Sequence, residues 1–184
     1  MRKLISQLFL LLLLIGCSSN KTYYTLGETI NISPSVKYDK TIEVVRVNVP
    51  KYLIDFTLVR QVSPHQIELI DKAQWLTPMQ KRLTNTLIDY LQKSMNNPNI
   101  HLYPWNAKEA ASKRVLVNIT RFIAYNNEVI LEANYKIQNF ENNKNSQKLF
   151  RTTVKTHENI DRMVASMEKA YFKLAEEIKR EVVK

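Results

Sequence analysis

Cys17 carries the only thiol in the 184-residue chain. Disulfide, thiolate–metal and cysteine-nucleophile chemistry therefore rest on one position or on none. The other candidate chemical groups are scattered. His65, His101 and His157 stand far apart, and none falls in the H-x-x-x-H or H-E-x-x-H spacing that sets two imidazoles on one helix face. No serine sits in a G-x-S-x-G elbow. With 2 glycines in the chain, neither a G-x-G-x-x-G turn nor a phosphate-cradling G-x-x-x-x-G-K-[ST] loop can be written. Glu176 and Glu177 are adjacent acids, but helix neighbours one apart do not face each other, and they read as part of a solvated face. No metal site, cofactor-binding loop or catalytic constellation is expected.

The surroundings of Cys17 are more informative. Arg2 and Lys3 open the chain, and Leu4 to Ile15 is apolar apart from Ser6 and Gln7. That run is about a dozen residues, against the roughly 20 a helix needs to span a bilayer. Polar "SSNKT" follows at once, the pattern of a secretory signal rather than a membrane span. Leu14-Ile15-Gly16-Cys17 resembles the bacterial lipobox. There a diacylglycerol is joined to the sulfur, a small residue such as Gly16 admits the peptidase, and only a thiol can form the thioether. Residues 1–16 are then a cleaved signal peptide and 17–22 a lipidated tether. Residues 23–184 form a single domain. The only non-protein groups expected are the diacylglycerol and the N-acyl chain on Cys17, and several acyl chains on one residue give stable anchoring. Ser18 stands where an Asp retains enterobacterial lipoproteins in the inner membrane, which favours the periplasmic face of the outer membrane.

Composition suits a globular domain, with 45% hydrophobic and 24% charged residues. The formal charge is +10, and taking Arg2 and Lys3 away leaves +8 on residues 17–184. A basic surface suits anionic membranes, nucleic acid or an acidic partner. No run of five like charges occurs, and basic and aromatic residues do not interleave, so nucleic acid is not expected.

The elements that must position these residues follow from periodicity. "TYYTL" begins a strand, and "TIEVVRVNVP" (41–50) reads as a strand ended by Pro50. "FTLVRQVSPHQIELIDKAQW" reads as two short strands about a turn at Ser63-Pro64. Thr77 fits an N-cap and Pro78 the first helical position. Met79, Leu83, Leu87, Leu91 and Met95 then recur every four residues to form an apolar face, and "NNPN" stops the helix. "IHLYPW" is a brief strand. "RVLVNITRFIAY", the turn Asn126-Asn127 and "EVILEANYKI" make a hairpin, with Val129, Leu131, Ala133, Tyr135 and Ile137 alternating. "NFENNKNSQ" reads as a polar loop and "KLFRTTVKT" as a third strand. A last helix runs from about Asn159 to Val183. Its apolar stripe is Ile160, Met163, Val164, Met167, Tyr171, Leu174, Ile178 and Val182, with Glu168, Lys169, Lys173, Glu176, Glu177 and Arg180 on the far face. The class is α+β: an antiparallel-rich mixed sheet packed against two long amphipathic helices.

Several segments carry a resemblance. Tyr23 to Leu26 ("YYTL"), Tyr52-Leu53 through Arg60, Trp75 with Pro78 and Met79, Tyr103-Pro104-Trp105, Arg121-Phe122 and Val164 to Ser166 occur in the order seen in the PqiC/YmbA family. These are ABC-type transport auxiliary lipoproteins associated with membrane integrity. The chain departs from the family at its D-R-P-Q core, where Ile54, Asp55, Phe56 and Thr57 stand instead. The resemblance implies a non-enzymatic accessory lipoprotein that works with a PqiB-like MCE-domain protein in intermembrane lipid transport, docking it at the outer membrane, with a homo-oligomer as one arrangement. It marks Tyr24, Tyr52, Leu53, Arg60, Trp75, Tyr103 and Trp105 as candidate partner-interface residues. For Trp75, Trp105, Tyr52 and Arg60 the residue types themselves favour a structural role, as core aromatics and an arginine paired with a carboxylate. A scaffold lipoprotein for lipopolysaccharide insertion or secretion is the alternative reading. A periplasmic hydrolase, the third, would need clustered polar residues in a pocket.

Overall fold

The computed structural model describes residues 20–28, 31–104 and 110–184. Its elements, in chain order, are β1 (Thr22–Tyr24), β2 (Ile42–Val44), a 3-10 turn (Lys51–Leu53), β3 (Thr57–Ser63) and β4 (Gln66–Trp75). There follow α1 (Met79–Met95), β5 (Ile100–Leu102), β6 (Lys113–Tyr125), β7 (Glu128–Asn139), β8 (Lys144–Lys155) and α2 (Ile160–Val182). The eight strands form one mixed sheet, and both helices pack on one of its faces. The architecture is α+β, as the periodicity predicts.

The sheet is built on the β6–β7–β8 meander. Asn126 and Asn127 both take positive φ, 47° and 58°, which fits a tight two-residue hairpin turn whose twist matches the strands. β6 and β7 then pair from Tyr125↔Glu128 to Lys113↔Asn139. On β7 the five alternating residues from Val129 to Ile137 are all buried. On β6 the inward parity changes: Val115, Val117 and Ile119 point inward, then Phe122 and Ala124. A bulge between Ile119 and Arg121 supplies the extra residue.

Three boundaries differ from the sequence reading. β8 begins at Lys144, inside the expected polar loop, because the ladder with β7 runs down to Asn139↔Lys144. An edge strand with little apolar cover carries no hydrophobic alternation to announce it. The stretch 41–50 is a strand over Ile42–Val44 and then a single bridge, Asn48 to Asn118. Ile42, Val44, Val47 and Val49 are the buried residues, so the chain kinks at Val45-Arg46 to keep its apolar side chains inward. α1 starts at Met79 with Pro78 as its cap residue, one position later than expected, and no side chain caps it.

The helices close the inner face. Met79, Leu83, Leu87, Leu91 and Met95 of α1 are fully buried, each contributing about 1.5–3 kcal/mol of transfer free energy. In α2 the Asn159 side chain accepts from the Arg162 N–H at 3.1 Å, a good N-cap. Tyr171 lies where α2, α1 and β6 meet. Its hydroxyl donates to the Leu83 carbonyl at 2.7 Å, and its ring stacks on Phe122 with centroids 6.4 Å apart. Lys113 is buried with its ammonium on the Val182 carbonyl at 2.5 Å, satisfying an open acceptor at the α2 C-terminus. Burial pushes the Lys113 pKa down.

The far face of α2 is less solvated than its sequence suggests. Glu168 is buried, and Glu176 and Glu177 are half-buried rather than exposed. The reason is tyrosine: the Tyr90 hydroxyl donates to Glu176 and the Tyr135 hydroxyl to Glu177, so both acids edge the packed seam. Burial pushes Tyr135 up to about 12.

Glu181 ties α2 to the edge strand, accepting from Ser146 Oγ at 2.7 Å, Lys148 Nζ at 2.5 Å and Lys184 Nζ at 2.8 Å. The Lys148 hydrogen bond, then those of Lys184 and Ser146, lower its carboxyl from 4.5 to about 2. A depressed folded pKa contributes stability that is present above the unfolded value and lost as pH falls through the folded one. Glu181→Gln is therefore expected to cost about 1 kcal/mol at neutral pH after solvent screening. Urea unfolding at a series of pH values should show the two proteins converge as pH drops from 4.5 towards 2.

Candidate functional site

The residues that carry the family resemblance can now be placed. β7 occupies one whole edge of β6, so β2 and β3 must share the other. The β2 segment bonds β6 as far as the Ile119 N–H, which donates to the Asn48 carbonyl at 2.9 Å. β3 joins at Arg60↔Ala124. Between these points the Phe122 N–H faces no strand. The Tyr52 hydroxyl accepts it at 2.9 Å. Tyr52 thus caps a gap in the sheet, and the 3-10 turn that carries it buries Leu53 in the core. Burial raises the Tyr52 pKa. Arg121 donates to Gln61 Oε1 at 2.8 Å across the same seam, and Phe122 is fully buried.

Trp75 ends β4 and is buried; its backbone N–H donates to the Phe56 carbonyl. Tyr24, paired with Trp75 in register, is half-buried against the core. Arg60 lies opposite Glu68 and donates to its carboxylate at 2.8 Å, with both side chains partly in solvent. Tyr103 is exposed and stacks on the Arg114 guanidinium, 3.9 Å from its ring centroid, with Phe140 on Arg114 at 5.1 Å. Arg114 also donates to Glu43 at 2.8 and 3.0 Å. Cys17 and Trp105 lie outside the described residues.

Of the candidate interface residues, then, Leu53 and Trp75 are core side chains. Tyr24 and Tyr52 are structural contacts with part of their surface free, and Arg60 and Tyr103 are accessible. The structure does not gather them into one site. His65, His101 and His157 fall in the β3–β4 turn, in β5 and in the loop before α2. No group of three or more His, Cys, Asp or Glu able to hold a metal occurs among the described residues. The clefts on the surface are open hollows. One of about 240 Å³ is lined by Arg60, Tyr125, His157 and Met163, and another of about 320 Å³ by Tyr52, Arg121, Ile67 and Glu132. Neither is an enclosed apolar chamber of the kind that buries a ligand. No helix among the described residues is long and apolar enough to cross a membrane.

Among the exposed apolar side chains of the described residues are Tyr23, Ile54, Phe56 and Leu76, for which the sequence predicts no surface role. The signal for two of them is the departure at residues 54–57, where Ile54 stands in place of the family's aspartate and Phe56 in place of its proline.

The gap-capping role of Tyr52 is testable. Tyr52→Phe leaves the Phe122 N–H without its acceptor and is expected to destabilise by about 1–2 kcal/mol in urea unfolding. A variant with unchanged stability but lost partner capture would make Tyr52 a contact residue instead.

No curated protein matches the chain. Among solved structures, one described as an uncharacterized protein superposes with a TM-score of 0.73 at 21% identity, covering 89% of this chain and 99% of that one. Protein XCC0632 from Xanthomonas campestris superposes with a TM-score of 0.72 at 13% identity, covering 86% of this chain and 92% of that one. At these identities the likeness establishes the fold alone. Residues 24–179 match the family model described as ABC-type transport auxiliary lipoprotein component. That span runs from the end of β1 to the last turn of α2, and takes in the Tyr52 cap, Trp75 and the β6–β7–β8 meander. The chain belongs to the ABC-type transport auxiliary lipoprotein family.

Proposed function

We propose that the chain is an outer-membrane lipoprotein, held at the periplasmic face by a diacylglycerol and an N-acyl chain on Cys17. In this reading it serves as a non-enzymatic accessory subunit of an MCE-type, Pqi-like intermembrane lipid transport system. The observation that carries it is the family match beginning at Tyr24, directly after a lipobox-like Leu14-Ile15-Gly16-Cys17 and a short polar tether. The fold is consistent with an adaptor. Most of its apolar residues lie in a helix-covered core, and what it presents outward is a mostly polar sheet face, strand edges and scattered exposed aliphatic and aromatic side chains. Such a body docks other components rather than enclosing cargo. Its role is to couple the periplasm-spanning MCE protein to the membrane through the anchor.

Affinity purification of the lipidated protein from envelope membranes is expected to recover an MCE-domain protein. Cys17→Ala protein should fold with the same unfolding midpoint, appear in the soluble periplasmic fraction and no longer link the MCE protein to outer membranes. Recovery only of other envelope machinery would overturn the transport assignment. Full retention of Cys17→Ala in outer membranes would overturn the anchor.

A further inference from the structure

We infer that the end of the sheet where β1, β4 and the 53–57 loop meet is the face that lies on the bilayer, with Tyr23, Ile54, Phe56 and Leu76 contacting phospholipid. The inference rests on the lipid anchor at Cys17. These four side chains are 56%, 53%, 49% and 62% exposed. They are neighbours through the backbone. Tyr23 and Thr57 flank Gln74 in register, the Phe56 carbonyl accepts from the Trp75 N–H at 2.5 Å, and the Leu76 N–H donates to the Tyr24 carbonyl at 2.8 Å. The hydrogen bonds join three segments at the end of β4 and hold in place the backbone that carries these exposed apolar groups.

Chain length selects the occupant. Thr22, the first residue of β1, follows Cys17 by five residues. Even fully extended, that stretch spans about 18 Å. β1 runs parallel to β4 and ends at Tyr24↔Trp75, so the patch lies within a few residues of the point where the tether enters the fold. A lipidated Cys17 therefore holds this end of the domain close to the headgroups. An aromatic ring with a polar tip and three aliphatic or aromatic groups suit the boundary between headgroups and acyl chains. The nearby charges are mixed: Lys21 and Lys51 are exposed, and so is Asp55 between Ile54 and Phe56. The contact is thus apolar in character rather than a polybasic attraction to anionic lipid.

The test uses the full-length lipidated protein reconstituted into phosphatidylethanolamine–phosphatidylglycerol vesicles. Acylation blocks Cys17, so a single introduced cysteine can carry the environment-sensitive fluorophore NBD. Leu76→Cys and Ile54→Cys report on the patch. Leu149→Cys, 89% exposed on the polar face of β8, is the control. All three positions are exposed, so each variant is expected to fold, and circular dichroism confirms it. On the vesicles, NBD at positions 76 and 54 should brighten about twofold or more and shift to the blue, as for a group entering the interface, while NBD at 149 stays as in water. Protein that floats with vesicles while positions 76 and 54 remain as wet as 149 overturns this face and leaves the anchor standing. Protein that does not float with vesicles overturns both. A response at 76 that requires an added envelope protein assigns the patch to a protein partner and also overturns the proposal.

Discussion

Strand β6 must hydrogen-bond two different strands along a single edge, and the gap between them constrains the rest of the structure. The β2 segment leaves β6 at Asn48 and β3 joins it at Arg60, with the 3-10 turn carrying the chain from one to the other. A backbone N–H left unpaired in that gap would carry a desolvation cost comparable to a lost hydrogen bond. The Tyr52 hydroxyl accepts from it, and the bulge before Arg121 re-phases β6. Through that one-residue shift Phe122, rather than Arg121, turns towards the helices and stacks on Tyr171. Without the bulge an arginine would face the apolar layer.

From this seam the two faces of the sheet take different roles. The inner face carries the alternating residues of β7 and the re-phased residues of β6 against α1 and α2, and it holds the main core. The register puts Val59, Ile123 and Ile130 in one row across β3, β6 and β7 on the opposite face, where they form a small buried group outside that core. Around them the outer face mixes polar residues, Asn118, Asn134 and Lys136 among them, with the exposed apolar side chains of Ile67, Leu69 and Leu149. β8, the free edge of the meander, carries Lys144, Lys148, Arg151 and Lys155. Charges of this kind discourage indiscriminate edge-to-edge pairing. The parts of the molecule left for lipid or protein contact are thus the outer face, the strand edges and the tether end.

The family-marking residues take on a different meaning in this light. Tyr52, Leu53, Trp75 and Phe122 assemble the seam and the core beneath it, so what marks the family is largely what builds its fold. Arg60 and Tyr103 stay accessible, but their partners within the chain, Glu68 and Arg114, already give them structural contacts.

The sequence by itself determined whatever depends on local periodicity and local chemistry. The four-residue recurrence from Met79 to Met95, the alternation from Val129 to Ile137 and the stripe along α2 each state which side faces the core, because every turn or pleat repeats the same burial. The Asn126-Asn127 hairpin was legible because asparagine tolerates left-handed geometry. The candidate anchor at Cys17 was legible because its chemistry is local to four residues. Tertiary structure decided whatever depends on what lies opposite. β8 begins in a polar stretch because its partner strand extends that far, and Glu176 and Glu177 leave the solvated face because tyrosines from elsewhere reach them. Tyr52 caps a gap that exists only once β2 and β3 share one edge. The patch of Tyr23, Ile54, Phe56 and Leu76 comes from three segments more than 50 residues apart at the extremes. Only backbone pairing between β1, β4 and the loop before β3 brings them together, and no periodicity within any one segment could announce it.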